Sequence, residues 1–144
     1  MVLGQYRHNL DEKGRLTIPA KFRDAFAEGA YLTQGFDRNL RLLTESDFNL
    51  MAEKINHLSM TDPDIRQLRR LIFANASEVQ LDRLGRTLVP QFLREFAGLE
   101  SEAIIVGVGE AVEIWSPEAW AAQESDLQDA EANAARFAEL DLSI

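Results

Sequence analysis

The stretch LDEKGRLTIP at residues 10–19 recurs almost unchanged as LDRLGRTLVP at residues 81–90, an offset of 71 residues. In both copies an Asp is followed three residues later by Gly, a pattern typical of a tight turn. The Asp side chain accepts nearby backbone N–H groups, and Gly adopts the positive φ that such turns require. Apolar and β-branched residues on both sides predict strands, so we expect each copy to form a hairpin.

The repeat extends well beyond these ten residues. The offset of 71 continues through the next segment to Arg23 and Arg94, and one inserted residue then changes it to 72. A period of about half the chain is too long for a solenoid and fits a small unit built twice. We therefore predict an α+β fold with two internal repeats that pair as a pseudo-dimer. The pairs expected at the offset of 72 are Leu32 with Ile104, Gly35 with Gly107, Leu40 with Val112, Leu43 with Trp115, Thr44 with Ser116 and Phe48 with Trp120.

Each repeat is expected to hold a hairpin, a short helix, a second pair of strands and a longer helix. Phe22 and Phe26 lie four residues apart, which places them on one face of the first short helix. Phe92 and Phe96 have the same spacing in the second copy, and we expect them to play the same part. A Ser-Pro pair caps the last helix, which is predicted to continue into the acidic tail.

These elements divide the chain into three parts. Residues 1–60 are predicted to form the first repeat. Residues 61–76 are predicted to form a connecting helix, which runs from Asp64 to about Asn75 after a linker at Ser59–Asp64. Residues 77–144 form the second repeat with its acidic C-terminal helix.

The charge is unevenly distributed along the chain. The formal net charge is −9, yet residues 1–23 carry +3 and residues 66–94 carry +4, while residues 117–144 carry −6. The basic residues thus gather around the two copies of the repeated stretch. Since binding depends on the local field more than on the total charge, an acidic protein of this kind is compatible with a nucleic-acid partner.

Several functional classes find no support in the residues. The chain has no cysteine, and His8 and His57 are too far apart to share a ligand motif. It has no phosphate-binding loop and no nucleophile elbow, and no serine completes a triad with His8 and Asp11. We expect that the protein is not an enzyme and that it binds no cofactor, metal or small-molecule substrate. The lack of a signal peptide and of an apolar run of about 20 residues favours a cytoplasmic protein without a membrane partner.

The motifs resemble those of the MraZ family of bacterial transcriptional regulators, in the wider AbrB/MazE/MraZ-like group. The resemblance rests on the doubled Asp-x-x-x-Arg motif, on KGRLTIPAKFR and LGRTLVPQFLR, and on VEIWSPEAW in the second copy. It implies a duplicated swapped-hairpin, double-split β-barrel with short helices. It also implies a nucleoid-associated, ring-shaped homo-oligomer that binds short direct repeats of double-stranded DNA upstream of its own gene, in a cell-division and cell-wall gene cluster.

The resemblance and the chemistry of the residues together give a candidate site. Arginine reads guanine through two hydrogen bonds, and lysine at a turn tip suits a phosphate. Arg15 either contacts DNA or braces its hairpin through Asp11, and for Arg86 the structural role is favoured. The candidate DNA-binding residues are Arg15, Lys13, Arg86, Arg7 and Arg83. The candidate structural residues are Asp11, Gly14, Asp82 and Gly85.

The two hairpin tips differ in chemistry. The second tip has Leu84 where the first has Lys13, and an apolar residue suits a packed contact better than a phosphate. One hairpin therefore could serve a subunit interface. The alternative function is an oligomeric scaffold or an antitoxin-like protein-binding module without specific DNA binding.

Overall fold

The computed structural model describes residues 1–142, so residues 143–144 of the expected second repeat lie outside the described part. The strands are β1 (Val2–Asn9), β2 (Arg15–Thr17), β3 (Ala30–Gln34), β4 (Leu40–Thr44), β5 (Ser77–Val79), β6 (Arg86–Leu88), β7 (Glu102–Gly109) and β8 (Val112–Trp115). The helices are α1 (Ala20–Arg23), α2 (Glu45–Asn56), α3 (Pro63–Ala74), α4 (Gln91–Ala97), α5 (Pro117–Leu127) and α6 (Ala130–Phe137). A 3-10 turn, Asp24–Phe26, extends α1. The predicted α+β class is confirmed.

The strands form two antiparallel sheets with a common internal symmetry. The six-stranded sheet has the order β1-β7-β8-β4-β3-β5, and the two-stranded sheet consists of β2 and β6. Exchanging each strand with its counterpart in the other repeat reverses this order and leaves it otherwise unchanged. The two repeats are thus related by a pseudo-two-fold axis that passes between β4 and β8.

Strands that flank a turn pair mainly with the other repeat. β1 pairs with β7, β5 pairs with β3, and β2 pairs with β6. Within the first predicted hairpin, the bridge between the two arms joins Leu10 to Leu16. The predicted hairpin turns are present, but the strands beside them take most of their partners from the other repeat. The strands are too short to bury an apolar face alone, and exchange gives each of them a partner.

The core lies between the two sheets. Its apolar side chains come from the inner faces of both sheets and from α1 and α4. On the outer face of the six-stranded sheet, α2 and α3 cover the strands of the first repeat. On the second repeat, Trp120 of α5 packs against Trp115 of β8. Thus α2, α3 and α5 lie on the side of the six-stranded sheet that faces away from the two-stranded sheet, whereas α1 and α4 pack in the core.

The predicted offset of 72 fails in one pair of strands. Leu32 and Ile105 both point into the core and are fully buried, whereas Ile104 lies on the outer face against Trp115. β3 and β7 therefore correspond at an offset of 73, and the offset of 72 applies only from β4 and β8 onward. A strand alternates its side chains between two faces, so a shift of one residue reverses the entire pattern. The pairings of Leu32 with Ile104 and of Gly35 with Gly107 were wrong.

The core-facing residues of α4 also differ from the expectation. Phe22 and Phe26 share one face, as predicted, and both are buried, but Phe92 is 47% exposed and Phe96 only partly buried. The offset of 71 places Leu93 where the first repeat has Phe22, and Leu93 is fully buried. Its orientation is set by the pairing of β6 with β2, which the spacing of the phenylalanines does not reveal.

The predicted cap of the last helix is present at Ser116, and Thr44 caps α2, but the last helix is interrupted. Thr44 accepts a hydrogen bond from the backbone N–H of Asp47, and Ser116 accepts one from that of Ala119. α5 ends at Leu127, and α6 begins with a new cap in which Asp129 accepts the N–H of Ala132. The single continuous helix was therefore wrong, because the Asp side chain starts a second helix where the first would have continued.

The burial of Leu93 and the exposure of Phe92 on α4 predict unequal effects of two neighbouring substitutions. Leu93→Ala should lower the free energy of unfolding by about 2–5 kcal/mol, since it leaves a cavity in the core. Phe92→Ala, the matched control, should change it by about 0.5 kcal/mol or less. Urea unfolding followed by circular dichroism measures both. A larger loss for Phe92→Ala would contradict the assigned face.

Candidate nucleic-acid interface

The first motif turn is held by one carboxylate. One oxygen of Asp11, Oδ1, accepts the backbone N–H groups of Lys13 at 3.0 Å and of Arg15 at 2.9 Å. The other oxygen, Oδ2, accepts from Nε of Arg15 at 2.6 Å. The motif spacing is explained by this geometry, because the Asp must reach both the turn and the arginine that follows it.

The second turn repeats this arrangement. Asp82 accepts the backbone N–H groups of Leu84 and Arg86, each at 2.9 Å, and Nε of Arg86 at 2.8 Å. These bonds hold the pKa of the Asp82 carboxyl below its usual range, and the largest contribution is the backbone N–H of Arg86. The pKa of Asp11 is lowered for the same reason by Arg15. The structural role predicted for both Asp residues agrees with these contacts.

Each turn is supported by an arginine from the other repeat. Gly14 has φ of +82°, and a Cβ atom there would lie 2.7 Å from Cζ of Arg94. Gly85 has φ of +76°, and a Cβ atom there would collide with Arg23. Glycine is thus required twice over, by the backbone conformation and by the space that the guanidinium occupies.

The turns lie at opposite ends of the two-stranded sheet. The carbonyl of Gly14 accepts the N–H of Val89, and that of Gly85 accepts the N–H of Ile18, both at 2.8 Å. The first turn therefore lies beside the start of α4, and the second beside the start of α1. Leu16 points inward and is fully buried. The neighbouring positions point outward by strand alternation, and they are Arg15, Thr17, Arg86 and Leu88.

The two motif arginines are not equally free. The side chain of Arg15 is 35% exposed and forms its ion pair with Asp11. The side chain of Arg86 is 26% exposed, and its Nη1 also lies 3.9 Å from Oδ2 of Asp11, in addition to its pair with Asp82. Two carboxylates thus hold Arg86, and one holds Arg15.

The other candidate cations lie in different places. Lys13 and Arg83 are exposed at the tips of the two turns. Arg7 instead projects from the outer face of the six-stranded sheet, where it pairs with Glu102 at 3.2 Å. The structure therefore brings four of the five candidate residues together around the two-stranded sheet and separates Arg7 from them.

The pairing of each turn with the other repeat was missed from the sequence. Arg23 and Arg94 share the offset of 71, and this was the available signal.

Burial and the nearby Arg23 charge lower the pKa of His8, which keeps that ring neutral at pH 7.

The two ends of the interface differ in charge. The end formed by the second turn, α1 and its 3-10 extension is two charge units more positive than the end formed by the first turn and α4. The substitutions responsible are Arg83 for Glu12, Leu84 for Lys13 and Lys21 for Phe92. The second turn, despite its apolar tip residue, belongs to the more basic end.

Within residues 1–142, no group of three or more His, Asp or Glu side chains is placed to hold a metal ion. In the same part of the chain, no helix is long and apolar enough to cross a membrane.

Comparison with known proteins assigns the family. The model of the family described as "MraZ protein, putative antitoxin-like" matches residues 1–71 and again residues 72–141. The chain belongs to the MraZ family. The resemblance drawn from the motifs is thus confirmed, and so is the internal duplication. The two MraZ matches meet inside α3.

Curated relatives carry the same family name, and the chain matches them over most of their length. "Transcriptional regulator MraZ" of Thermomicrobium roseum is 54% identical, with 85% of this chain and 87% of the relative covered. "Transcriptional regulator MraZ" of Roseiflexus castenholzii is 45% identical, with 96% and 95% covered. That of Herpetosiphon aurantiacus is 49% identical, with 83% and 84% covered. The chain is a member of a family of transcriptional regulators, which is not a family of enzymes.

The lowered pKa values predict a specific loss of stability in acid. A carboxyl group whose pKa is lowered in the folded state stabilises the fold at pH values above its ordinary pKa of about 3.8. This stabilisation is lost as the pH falls through the folded pKa. Urea unfolding between pH 5 and pH 2 should therefore show a steeper decline for the wild type than for the Asp11→Asn, Asp82→Asn double variant.

Glu12→Gln controls for the removal of a negative charge from the same surface. If the double variant declines as steeply as the wild type, then the two Asp side chains do not provide the acid sensitivity.

Proposed function

We propose that this chain regulates transcription by binding short direct repeats in double-stranded DNA upstream of its own gene, in a cell-division and cell-wall gene cluster. We propose that it acts as a homo-oligomeric ring whose subunits engage successive repeats. Several weak contacts on one DNA then give useful affinity through avidity. The name "Transcriptional regulator MraZ", carried by the relatives, supports a DNA partner.

The observation that carries this proposal is the outer face of the two-stranded sheet. It presents Arg15 and Arg86 as diagonal neighbours that both approach Oδ2 of Asp11, with exposed Lys13 and Arg83 at its two ends. A two-stranded ribbon fits the major groove of B-form DNA, where all four base pairs can be distinguished.

The contacts suggest separate roles for these residues. We assign base reading to Arg15, because one carboxylate orients it and a third of its side chain stays exposed. We assign phosphate contacts to Lys13 and Arg83, and we assign to Arg86 the task of linking the two turns. Arg7 is at most a secondary contact, since Glu102 neutralises it on another sheet.

The placement of the acidic helices is compatible with this interface. α5 covers the outer face of the six-stranded sheet, and the core separates it from the two-stranded sheet. The negative charge of the C-terminal region is thus kept away from the proposed DNA surface. This arrangement reconciles a net charge of −9 with binding to a polyanion.

We propose in addition that the two sheets close into the double-split barrel of the family. The repeats, residues 1–60 and 77–144 joined by residues 61–76, would then fold only as a pair. Strand exchange supports this, because β1, β2 and β5 all take their partners from the other repeat.

The scaffold or antitoxin-like alternative is favoured by one observation. Leu84 and Leu88 are 62% and 55% exposed on the same surface as the arginines. Exposed apolar residues of this size suit a protein partner better than phosphates. This alternative requires no preference for any DNA sequence.

Arg15→Ala is the direct test of the proposed function. It should weaken binding to the repeat DNA from upstream of the gene by about 10- to 100-fold, since one two-pronged arginine–guanine contact contributes about 1–3 kcal/mol. Fluorescence anisotropy with labelled natural and scrambled DNA measures the preference. Arg15→Lys should also lose it, because lysine keeps the charge but lacks the planar fork.

Thermal unfolding and oligomer mass must be recorded for both Arg15 variants. Equal weak binding of the wild type to natural and scrambled DNA would reject specific recognition and favour the scaffold. If Arg15→Ala binds normally, then Arg15 does not read bases. If Arg15→Ala unfolds at the assay temperature, its loss of binding comes from the lost brace, and normal binding by a folded Arg15→Lys variant would then reject base reading.

Arg83→Ala should act differently. A phosphate contact carries no sequence information, so this change should weaken binding to natural and scrambled DNA alike. It should lower the slope of log affinity against log salt concentration by about 1 for each engaged subunit. Lys54→Ala removes the same charge from α2, on the opposite side of the core, and serves as the control. Equal slopes for both variants would exclude a phosphate contact at Arg83.

A further inference from the structure

The pseudo-two-fold axis relates an occupied helix position in the first repeat to an open groove in the second. In the first repeat, α3 packs beside α2 on the outer side of β3. Ile72 of α3 is 1% exposed there, and Oγ1 of Thr33 donates a hydrogen bond to its carbonyl at 3.0 Å. Ile55 of α2 is buried in the same apolar cluster.

The equivalent position in the second repeat lies between α5 and the β1–β7 strands. The offset of 73 places Val106 where β3 has Thr33, and the offset of 72 places Leu127 where α2 has Ile55. Leu127 is 44% exposed, whereas Ile55 is 7% exposed under α3. A groove of about 360 Å³ remains open here. Its lining comprises Gly4, Gln5, Val106, Gly107, Trp120, Glu124, Leu127 and Gln128.

The helix that corresponds to α3 in chain order does not reach this groove. Six residues, 57–62, separate α2 from α3 and let α3 fold back. Two residues, 128–129, separate α5 from α6. Nδ2 of Asn133 donates to the carbonyl of Leu127 and fixes the start of α6 to the end of α5. None of the residues Ala130–Phe137 is buried, and Phe137 is 48% exposed.

We propose that α6 of a second copy of this chain docks in this groove. Among residues 1–142, α6 has no buried side chain and this groove has no helix over it, and the packing of α3 in the first repeat shows how two such surfaces fit together. This inference rests on the ring assembly in the proposed function and names the surfaces that build it.

The chemistry of α6 fits the groove. Ala130, Ala134 and Phe137 follow at spacings of four and three, which aligns them on one helical face. Small alanines permit close approach, and the phenylalanine supplies an apolar anchor for the exposed Leu127. Arg136, next to that anchor, donates to the carbonyl of Asp126 and to Oδ1 of Asn133 within its own chain. Neither partner neutralises its charge, which is complementary to that of Glu124 on the rim of the groove.

The contact is heterologous, because the donated helix and the receiving groove are different surfaces. Each copy then donates one helix and receives another. Such an interface extends from copy to copy and closes into a ring when the rotation between neighbours permits. The DNA-facing arginines take no part in it, so every subunit keeps its two-stranded sheet accessible.

The test begins with the mass of the full-length wild type by analytical ultracentrifugation, followed by Leu127→Glu and Phe137→Glu. Both variants should form assemblies of lower mass than the wild type, with at least one subunit fewer. Phe36→Glu, at a 67% exposed position in the β3–β4 connection, should keep the wild-type mass. A wild type that is monomeric would reject the ring itself. An oligomeric wild type whose mass survives both changes would reject only the docking of α6.

A photo-crosslink identifies which chain fills the groove. p-Benzoylphenylalanine at position 137 keeps the aromatic ring and attaches to its nearest neighbour on irradiation. We expect a covalent dimer whose crosslinked peptide contains α5 or β1. A crosslink within one chain, a crosslink to α2 or α3 of another chain, or no crosslink at all would overturn the proposal.

Discussion

The exchange of strands between the two repeats is the constraint on which the rest of the molecule depends. Each motif turn is joined to the other repeat through its glycine carbonyl, which accepts the N–H of Val89 at Gly14 and of Ile18 at Gly85. The turn glycines also make room for arginines that the other repeat supplies. The site is therefore a property of the pair, and a single repeat lacks both the partner strand and the supporting guanidinium.

The same contacts explain how a strongly acidic chain presents an ordered basic surface. Asp11 and Asp82 reduce the charge of the turns, yet they also fix the arginines that follow them. An oriented guanidinium loses less conformational entropy on binding than a free one, which favours directional contacts. Bracing through Nε leaves the rest of the Arg15 guanidinium available for the proposed DNA contact.

Duplication followed by local change accounts for the division of labour between the repeats. The core positions keep their apolar character, whereas the turn tips and the outer helices differ. The second repeat contributes Arg83 and Leu84 to one end of the interface, and it leaves Leu127 uncovered on the far side. Symmetry-related positions with different exposure are where the molecule has surface available for partners.

Local chemistry in the sequence by itself determined the turns, the helix caps at Thr44 and Ser116, the duplication and the identity of the motif residues. These features depend on neighbouring residues or on a repeat visible in the letters. Tertiary structure decided the one-residue change of register between β3 and β7, the buried face of α4 and the cross-repeat support of each turn by Arg23 and Arg94. Each of these depends on which strand pairs with which, because pairing sets the direction in which every side chain points.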